Sequence, residues 1–224
     1  KIDNKSKPFL IAEIGINHNG DLDLAKKMTI SAIDSGADIV KFQTHLVDDE
    51  MLNIEEKKKA SHVKGSLYEI LKQCSLNLKA HYELKKLCES KNKIFMSTPF
   101  SIQAVDLLNK IGVKAFKIGS GETNNYHFVE YILKKNKPTL VSTGTSSWND
   151  LKTFNEKFID YKKQIVLLHC ISNYPTKLKD ANIKVIEKIR DELNFVPGFS
   201  DHSIDNFSSI ASIVSGAKVI ERHF

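Results

Sequence analysis

The sequence contains no long apolar run. None of its apolar stretches approaches the roughly 20 residues that a membrane-spanning helix needs. The first seven residues are mostly polar, with three lysines, and lack the apolar centre of a signal peptide. We therefore expect a soluble protein of the cytoplasm that has no membrane partner.

Cysteine is scarce and has no diagnostic spacing. The chain has three cysteines, Cys74, Cys88 and Cys170, which is an odd number and includes no C-x-x-C pair. Disulfide frameworks need paired cysteines, and cysteine-rich zinc sites need closely spaced ones. Neither class is supported, and we expect reduced thiols that are mostly buried.

Clustered arginine is also absent, although the net charge is +6. The lysines are spread over helical, solvent-facing patterns such as Lys26-Lys27 and Lys134-Lys135. A nucleic-acid surface would concentrate its basic residues in one patch, often between aromatic residues. We therefore expect no nucleic-acid partner.

The sequence does contain a regular alternation of short apolar runs and segments with the 3.6-residue period of helices. The predicted strands are 9–15, 39–43, 94–98, 115–118, 139–142, 165–169, 196–200 and 218–222. The predicted helices are 22–35, 80–90, 102–111, 126–135, 147–161, 182–193 and 206–215. Ser101 is expected to cap the helix that begins at residue 102, and Gly36 to follow the first helix.

This alternation predicts a parallel sheet with right-handed crossovers. Eight such strands close most naturally into a (β/α)8 barrel, the TIM barrel. An open doubly wound sheet is the alternative, but Gly15 and Gly20 lack the spacing of a dinucleotide-binding turn. We predict one barrel domain over residues 1–224 that ends with the eighth strand, without the closing helix. The long segment 44–67 is a candidate substrate loop or lid.

Polar residues stand at nearly every predicted strand end, which is where a barrel carries its chemistry. Glu13, Lys41 and Lys117 lie within apolar runs, so each must either pair with an opposite charge or face a ligand. Glycine-containing turns at 119–122 and 142–144 offer N–H groups and hydroxyls to an oxyanion. Two lysines and two such turns on one rim indicate a phosphate ligand.

The last two predicted strands are each followed by a histidine, His202 and His223. If both reach the same rim, two neutral imidazoles can hold Mn²⁺, Fe²⁺, Co²⁺ or Zn²⁺. Other side chains on the rim can form hydrogen bonds with a polyhydroxylated ligand, namely Gln43, His45, Glu122, Asn173 and Tyr174.

Eight short motifs, in the same order along the chain, resemble the barrel domain of the sialic acid synthases. This is the N-acetylneuraminate synthase family, which includes legionaminic and pseudaminic acid synthases. The motifs are Glu-Ile-Gly-Ile-Asn-His-Asn-Gly (13–20), Lys-Phe-Gln-Thr-His (41–45), Ser-Thr-Pro-Phe (97–100), Lys-Ile-Gly-Ser-Gly-Glu (117–122), Ser-Thr-Gly (142–144), Tyr-Pro-Thr (174–176), Ser-Asp-His (200–202) and Glu-Arg-His-Phe (221–224). Together they span almost the whole chain and are specific for this family.

The resemblance implies a transferase that condenses phosphoenolpyruvate with an N-acetylmannosamine-type acetamido sugar and releases phosphate by C–O cleavage. Phosphoenolpyruvate would be held by Lys41, Thr98, Lys117, Ser120, Ser142 and Ser200. The sugar would contact Glu13, Gln43, Glu122 and Tyr174. A divalent metal, foremost Mn²⁺ with Mg²⁺ or Co²⁺ as alternatives, would bind His202 and His223. The catalytic candidates are Glu13, Lys41, Lys117 and Glu122, and the base is not assigned among the carboxylates.

Two positions on the sugar side depart from the family pattern. His62 stands where N-acetylneuraminate synthases tend to carry asparagine, and Asn173 is displaced by one place from the usual Asn-x-Tyr-Pro. Both are candidate sugar contacts, and both bear on which sugar is bound. The resemblance also implies a swapped homodimer, in which an antifreeze-like domain beyond the barrel supplies an arginine to the partner's site.

Two other interpretations of the residues stay open. Lys41 or Lys117 could form a Schiff base in a class I aldolase, because a desolvated amine at a strand end can attack a carbonyl. A shortened barrel could also retain the ligand-binding residues and serve only for binding or as a scaffold.

Overall fold

The computed structural model describes residues 7–52 and 66–224 and contains eight strands. They are β1 (Phe9–Gly15), β2 (Ile39–Thr44), β3 (Ile94–Pro99), β4 (Phe116–Ile118), β5 (Thr139–Ser142), β6 (Ile165–Cys170), β7 (Val196–Asp201) and β8 (Val219–His223). Every predicted strand is present, with ends that differ by at most one residue from those predicted.

The strands form one parallel sheet in the order β3-β2-β1-β8-β7-β6-β5-β4. The first and last strands pair with each other, and β3 and β4 lie in contact at the two ends of the order. The sheet therefore curls into a nearly closed barrel with helices between its strands. The predicted (β/α)8 fold is confirmed, and the doubly wound alternative is wrong because a doubly wound sheet does not pair its first strand with its last.

The helices of the described ranges lie mainly between consecutive strands. They are α1 (Leu22–Asp34), α2 (Val47–Glu50), α3 (Leu67–Cys74), α4 (Leu78–Ser90), α5 (Ile102–Ile111), α6 (Tyr126–Leu133), α7 (Trp148–Lys157), α8 (Lys184–Asp191) and α9 (Phe207–Val214). None of the described helices has the length and apolar character needed to cross a bilayer.

Short polar side chains begin several helices, as their capping chemistry requires. Ser101 accepts a hydrogen bond from the backbone N–H of Ala104, which confirms it as the cap of α5. Gly36 follows α1 with a φ of +100°, a conformation that glycine adopts without steric cost. Ser66 and Glu69 form a reciprocal capping box at the start of α3.

Two predicted helices needed correction, and two were missed. The helix predicted over 147–161 ends at Lys157 and continues as a 3-10 turn, Ile159–Gln164. The helix predicted over 182–193 is shorter, at Lys184–Asp191. The short α2 and the capped α3 were not predicted: α2 has only four residues, whereas α3 does carry helical apolar spacing at Leu67, Ile70, Leu71 and Cys74 and could have been found.

Apolar side chains fill the barrel interior at the N-terminal ends of the strands. This cluster consists of Ile11, Ile39, Met96, Ala115, Leu140, Val166, Leu168 and Val219. A larger apolar layer lies between the sheet and the helices and includes Phe42, Phe116 and Phe154. Burial of each large aliphatic or aromatic side chain contributes about 1.5–3 kcal/mol, so these two layers hold the barrel rigid beneath its polar C-terminal rim.

Candidate active site

A polar cleft with a cavity volume of about 110 Å³ lies at the C-terminal ends of the strands. Each of the eight strands contributes to its lining. The lining residues are Glu13, Lys41, Gln43, Thr98, Phe100, Lys117, Gly119, Ser120, Ser142, Cys170, Tyr174, Ser200, His202, Glu221 and His223. Of the predicted site residues within the described ranges, all line this cleft except His45, Glu122 and Asn173.

Strand register explains why residues so distant in sequence meet here. Glu13 lies opposite Lys41 on one side of β1 and opposite His223 on the other. Ser200 lies opposite Glu221 where β7 pairs with β8. Because neighbouring strands are parallel and side chains alternate along them, each of these residues points into the barrel near its C-terminal rim.

Four buried charges form an alternating row across the floor of the cleft. The Nζ of Lys41 lies 2.5 Å from Glu13 Oε2 and 3.7 Å from Glu221 Oε2. The Nζ of Lys117 donates to both oxygens of Glu221, at 2.8 and 3.1 Å. We call Glu13, Lys41, Glu221 and Lys117 the charge row. The pairing that the sequence left open is therefore present, and the row has no net formal charge.

Burial and mutual attraction act in opposite directions on the pKa values of this row. Burial opposes the charge of Lys41, yet the carboxylates of Glu13 and Glu221 outweigh it and raise the pKa of the ammonium. For Glu221 burial is likewise outweighed, by Lys117 and Lys41, so its pKa is lowered. Burial dominates at Glu13, and the neighbouring Glu221 adds to it, so its pKa is raised. Glu13 is therefore the carboxyl that accepts a proton more readily.

The same arrangement bears on the Schiff-base interpretation. A lysine attacks a carbonyl only as the neutral amine, which requires a depressed pKa. Lys41 instead has a raised pKa beside two carboxylates, and Lys117 is held in a two-oxygen ion pair by Glu221. The geometry thus favours two ammonium groups over a nucleophilic amine.

Two glycine-containing turns, 119–122 and 142–144, lie beside the charge row and contribute Gly119, Ser120 and Ser142 to the cleft. The backbone N–H of Gly144 donates to Ser120 Oγ at 3.1 Å, and that hydroxyl lies 3.2 Å from Cys170 Sγ. A side chain at position 144 would collide with the Ser172 hydroxyl and approach Cys170 Sγ to 2.7 Å. The turn therefore needs glycine so that its backbone can approach Ser120, and the result is a small polar cradle of the kind that binds oxyanions.

His202 and His223 lie side by side at the mouth of the cleft, with ring centroids 5.6 Å apart. His202 donates from Nδ1 to the carbonyl of Ile171 at 2.7 Å, so its Nε2 carries the lone pair and lies 3.4 Å from the Ser200 hydroxyl. Tyr174 stacks on His202 at a centroid distance of 4.0 Å. Burial lowers the pKa of both histidines, that of His223 to about 4, with His202 adding to this shift. Both are therefore neutral at pH 7, which is the form that binds metal ions.

Three predicted contacts of the described ranges do not line the cleft. Glu122 is half-buried in a 3-10 turn and accepts a hydrogen bond from the Asn125 amide at 2.8 Å. Asn173 is exposed on the loop that follows β6, and His45 is buried behind the cleft wall. His62 lies outside the described residues.

Three lining residues, Glu221, Cys170 and Phe100, were not predicted from the sequence. Glu221 could have been found, since it precedes His223 by two positions on the same strand and must share its face. Cys170 likewise ends β6 in phase with the apolar Leu168. Phe100 lies in a bend after β3, where side chains no longer alternate between two faces, so its direction could not be predicted.

The structure is a nearly closed (β/α)8 barrel whose lysines, Ser120 cradle and two adjacent histidines lie at the C-terminal rim, which is where barrels of this fold carry their active sites. A model of the NeuB family matches residues 28–224. The chain is 38% identical to N,N'-diacetyllegionaminic acid synthase of Legionella pneumophila over 228 residues, which cover 96% of this chain and 63% of that relative. It is also 38% identical to the N,N'-diacetyllegionaminic acid synthase of Campylobacter jejuni, covering 97% of this chain and 67% of that relative.

A solved structure gives the same result. The crystal structure of N-acetylneuraminic acid (sialic acid) synthetase from Leptospira borgpetersenii superposes with a TM-score of 0.87 at 32% identity, over 98% of this chain and 73% of that one. The chain belongs to the NeuB family. The expected family resemblance is thereby confirmed, while the chain spans less than two thirds of the Legionella relative's length.

Proposed function

We propose that this protein condenses phosphoenolpyruvate with an N-acetylmannosamine-type sugar to form a nonulosonic acid, with release of phosphate. The observation that carries the proposal is the meeting of two ammonium groups, the Ser120 cradle and two neutral histidines in one cleft. Relatives named as N,N'-diacetyllegionaminic acid, pseudaminic acid and N-acetylneuraminate-9-phosphate synthases support it.

Phosphoenolpyruvate would bind across the charge row and the cradle. Lys41 and Lys117 supply the positive charge, and Lys41 Nζ also donates to Thr98 Oγ1 at 3.2 Å. Hydroxyls of Ser120, Ser142 and Ser200 line the cleft as further donors around the anion, with Ser120 held in place by the Gly144 N–H. Preorganised charges and donors of this kind stabilise negative charge better than water does, because they need not reorient.

The acetamido sugar would contact Gln43, at the end of β2, and Tyr174, on the loop that follows β6. Gln43 is half-buried and donates from Nε2 to Glu13 Oε1 at 3.4 Å. Tyr174 is 64% exposed and stands beside both histidines. These side chains offer donors and acceptors to hydroxyl and acetamido groups.

His202 and His223 fit a divalent cation, for which we propose Mn²⁺. Their donor chemistry suits it, because both imidazoles are neutral and the Ile171 carbonyl fixes the tautomer of His202. Within the described ranges no set of three His, Cys, Asp or Glu side chains is arranged around a metal position, so substrate or water would supply further ligands. A bound cation would polarise the aldehyde of the open-chain sugar.

In the proposed reaction, C3 of phosphoenolpyruvate forms a bond to the aldehyde carbon, whose oxygen takes up a proton. Water adds to C2 and loses a proton, and the bond between C2 and the phosphate oxygen breaks. Glu13 and Glu221 are the two carboxylates of the cleft within reach of these proton transfers, and the raised pKa of Glu13 suits it to receive a proton.

The test is a phosphate-release assay on the full-length protein with phosphoenolpyruvate, Mn²⁺ and a panel of acetamido sugars. We expect release only when a mannosamine-type sugar is present, and loss of release with a chelator or with His202→Ala. Activity that survives both treatments would contradict the metal role, and a covalent adduct trapped by borohydride with pyruvate would support the aldolase instead. We also propose that the protein is a homodimer and that it acts in the cytoplasm. Light scattering would measure the molar mass and so test the dimer.

A further inference from the structure

A buried hydrogen-bonded chain leads from the cleft to the helix that follows β2. His45 is 6% exposed and directly contacts two side chains. Its Nδ1 lies 2.7 Å from Glu50 Oε2, and its Nε2 lies 3.0 Å from Gln43 Oε1. Gln43 in turn reaches Glu13 Oε1 through its Nε2. Glu50, His45, Gln43 and Glu13 thus form one continuous chain, which ends at the charge row.

The donors and acceptors along this chain fix the direction of the Gln43 amide. Glu13 Oε1 is an acceptor within an ion-paired carboxylate, so Gln43 must present its NH2 group to it. The Gln43 oxygen then faces His45, which must donate from Nε2. The other ring nitrogen, Nδ1, lies 2.7 Å from the Glu50 carboxylate, so Glu50 holds the imidazole from its second side.

The imidazole of His45 is held in place by more than these two bonds. It stacks on Phe100 with a centroid distance of 4.4 Å and an interplanar angle of 12°. The backbone carbonyl of His45 accepts from Ser75 Oγ at 3.1 Å. His45 itself does not line the cleft, whereas Phe100 and Gln43 do.

We propose that His45 and Glu50 are positioning residues that lock the Gln43 amide in one orientation and so determine how the acetamido sugar is recognised. With its oxygen directed at His45 and its NH2 at Glu13, Gln43 offers the ligand one remaining N–H and one remaining lone pair, in fixed directions. A reversed amide would offer the opposite pattern and would place its NH2 against the His45 N–H. This inference rests on the proposed function.

The test compares His45→Phe, Glu50→Gln and Asp49→Asn with the wild-type protein. Phenylalanine keeps the stacking on Phe100 but removes both ring nitrogens, and Glu50→Gln is the conservative change. Asp49→Asn removes the same charge from the neighbouring, exposed position and serves as the control. Each variant is assayed for the KM of the sugar at saturating phosphoenolpyruvate, for the Kd of phosphoenolpyruvate alone, and for thermal unfolding.

For His45→Phe we expect the KM of the sugar to rise about tenfold, the effect of one lost hydrogen bond, while the Kd of phosphoenolpyruvate stays within twofold. Glu50→Gln should give a smaller rise, and Asp49→Asn none. An unchanged KM for the sugar in a folded His45→Phe variant, or equal rises for both substrates, would overturn the inference.

A second measurement is independent of turnover. In the wild-type protein, nitrogen-15 NMR should show the side-chain NH2 of Gln43 as a single pair of signals, and these should shift or broaden in His45→Phe but not in Asp49→Asn. Unchanged signals in His45→Phe would overturn the inference. If wild-type protein shows the locked amide but releases no phosphate with any acetamido sugar, the proposed reaction fails while the positioning role stands.

Discussion

Asp201 and Arg222 lie directly opposite each other where β7 pairs with β8, and their side chains meet on the outer face, Oδ2 to Nη1 at 3.3 Å. The next residue of each strand is a histidine, so this register places His202 beside His223 on the inner face. The guanidinium also donates to the carbonyls of Ser203, Ile204 and Asp205. A slip of one residue would turn one histidine away from the cleft.

Arg222→Gln should therefore weaken both stability and metal binding. Asp201 is 2% exposed, and breaking a buried ion pair by removing one partner costs about 3 kcal/mol. We expect this loss in the free energy of unfolding measured with urea, together with weaker Mn²⁺ binding measured by electron paramagnetic resonance. Lys134→Gln, which breaks an exposed pair with Glu130, should change neither by a measurable amount. Full Mn²⁺ affinity in Arg222→Gln would contradict the register argument.

Glu13→Gln should tighten the binding of phosphoenolpyruvate while abolishing its turnover. The charge row is neutral as it stands, so removing one carboxylate leaves an excess positive charge for the incoming anion. We expect the Kd of phosphoenolpyruvate, measured by titration calorimetry, to fall severalfold and phosphate release to be lost. Glu130→Gln, at the surface, is the control. Weaker binding of phosphoenolpyruvate in Glu13→Gln would contradict this expectation. It would mean that Glu13 orients Lys41 toward the anion and does not compete with the anion for the Lys41 ammonium.

Gly144→Ala should damage the oxyanion cradle. The added methyl group would meet the Ser172 hydroxyl, Cys170 Sγ and Ser120 Oγ, and such overpacking costs about 1–3 kcal/mol. We expect a raised KM for phosphoenolpyruvate because Ser120 must move. Gly121→Ala lies in the neighbouring turn with no atom within 4 Å of the added methyl, so it should behave like wild type. Equal effects of the two substitutions would show that the cradle does not depend on close packing at Gly144.

Stability should fall with acidification below pH 6.5. Burial lowers the pKa of His81 and of His169, so both are neutral in the folded state. A folded pKa below the unfolded value of 6.5 contributes stability that is fully present above pH 6.5 and is lost as the pH falls toward the folded pKa. Urea midpoints measured on both sides of pH 6.5 test this loss.

A pair of variants assigns that pH dependence to a particular residue. His169 donates from Nε2 to the Ala181 carbonyl at 2.8 Å, and glutamine at this position keeps a donor but cannot titrate. His169→Gln should therefore flatten part of the acid loss, whereas His127→Gln, at an exposed position, should leave it unchanged. Identical pH profiles for wild type and His169→Gln would refute the assignment.

The strands were predictable because their apolar runs are buried on both faces, a pattern that survives without any tertiary information. The cleft followed from the same rule, since parallel strands deliver their last polar residues to one rim. Helix α2 was not predictable, because four residues are too few to show a period. Helix α3 could have been found, since Ser66 and Glu69 have the spacing of a capping box and Leu67, Ile70, Leu71 and Cys74 that of one helix face.

Pairing among the buried charges was beyond sequence reasoning. Period two placed Glu13, Lys41 and Lys117 inside the barrel but could not say which carboxylate meets which lysine. The answer depends on register, which sets Glu13 beside Lys41, and on a long-range contact, in which Lys117 of β4 reaches Glu221 of β8 across the interior. The hydrogen-bonded chain from Glu50 to Gln43 could not be predicted either, because it depends on where α2 places Glu50 relative to His45.

The most direct test of the central claim follows the oxygen between C2 and phosphorus in phosphoenolpyruvate. With oxygen-18 at that position, an acetamido sugar and Mn²⁺, the full-length protein should release phosphate that carries the label, because the C–O bond breaks, and should form a sugar acid without it. Unlabelled phosphate, with the label kept in pyruvate or in the sugar product, would contradict the proposed condensation.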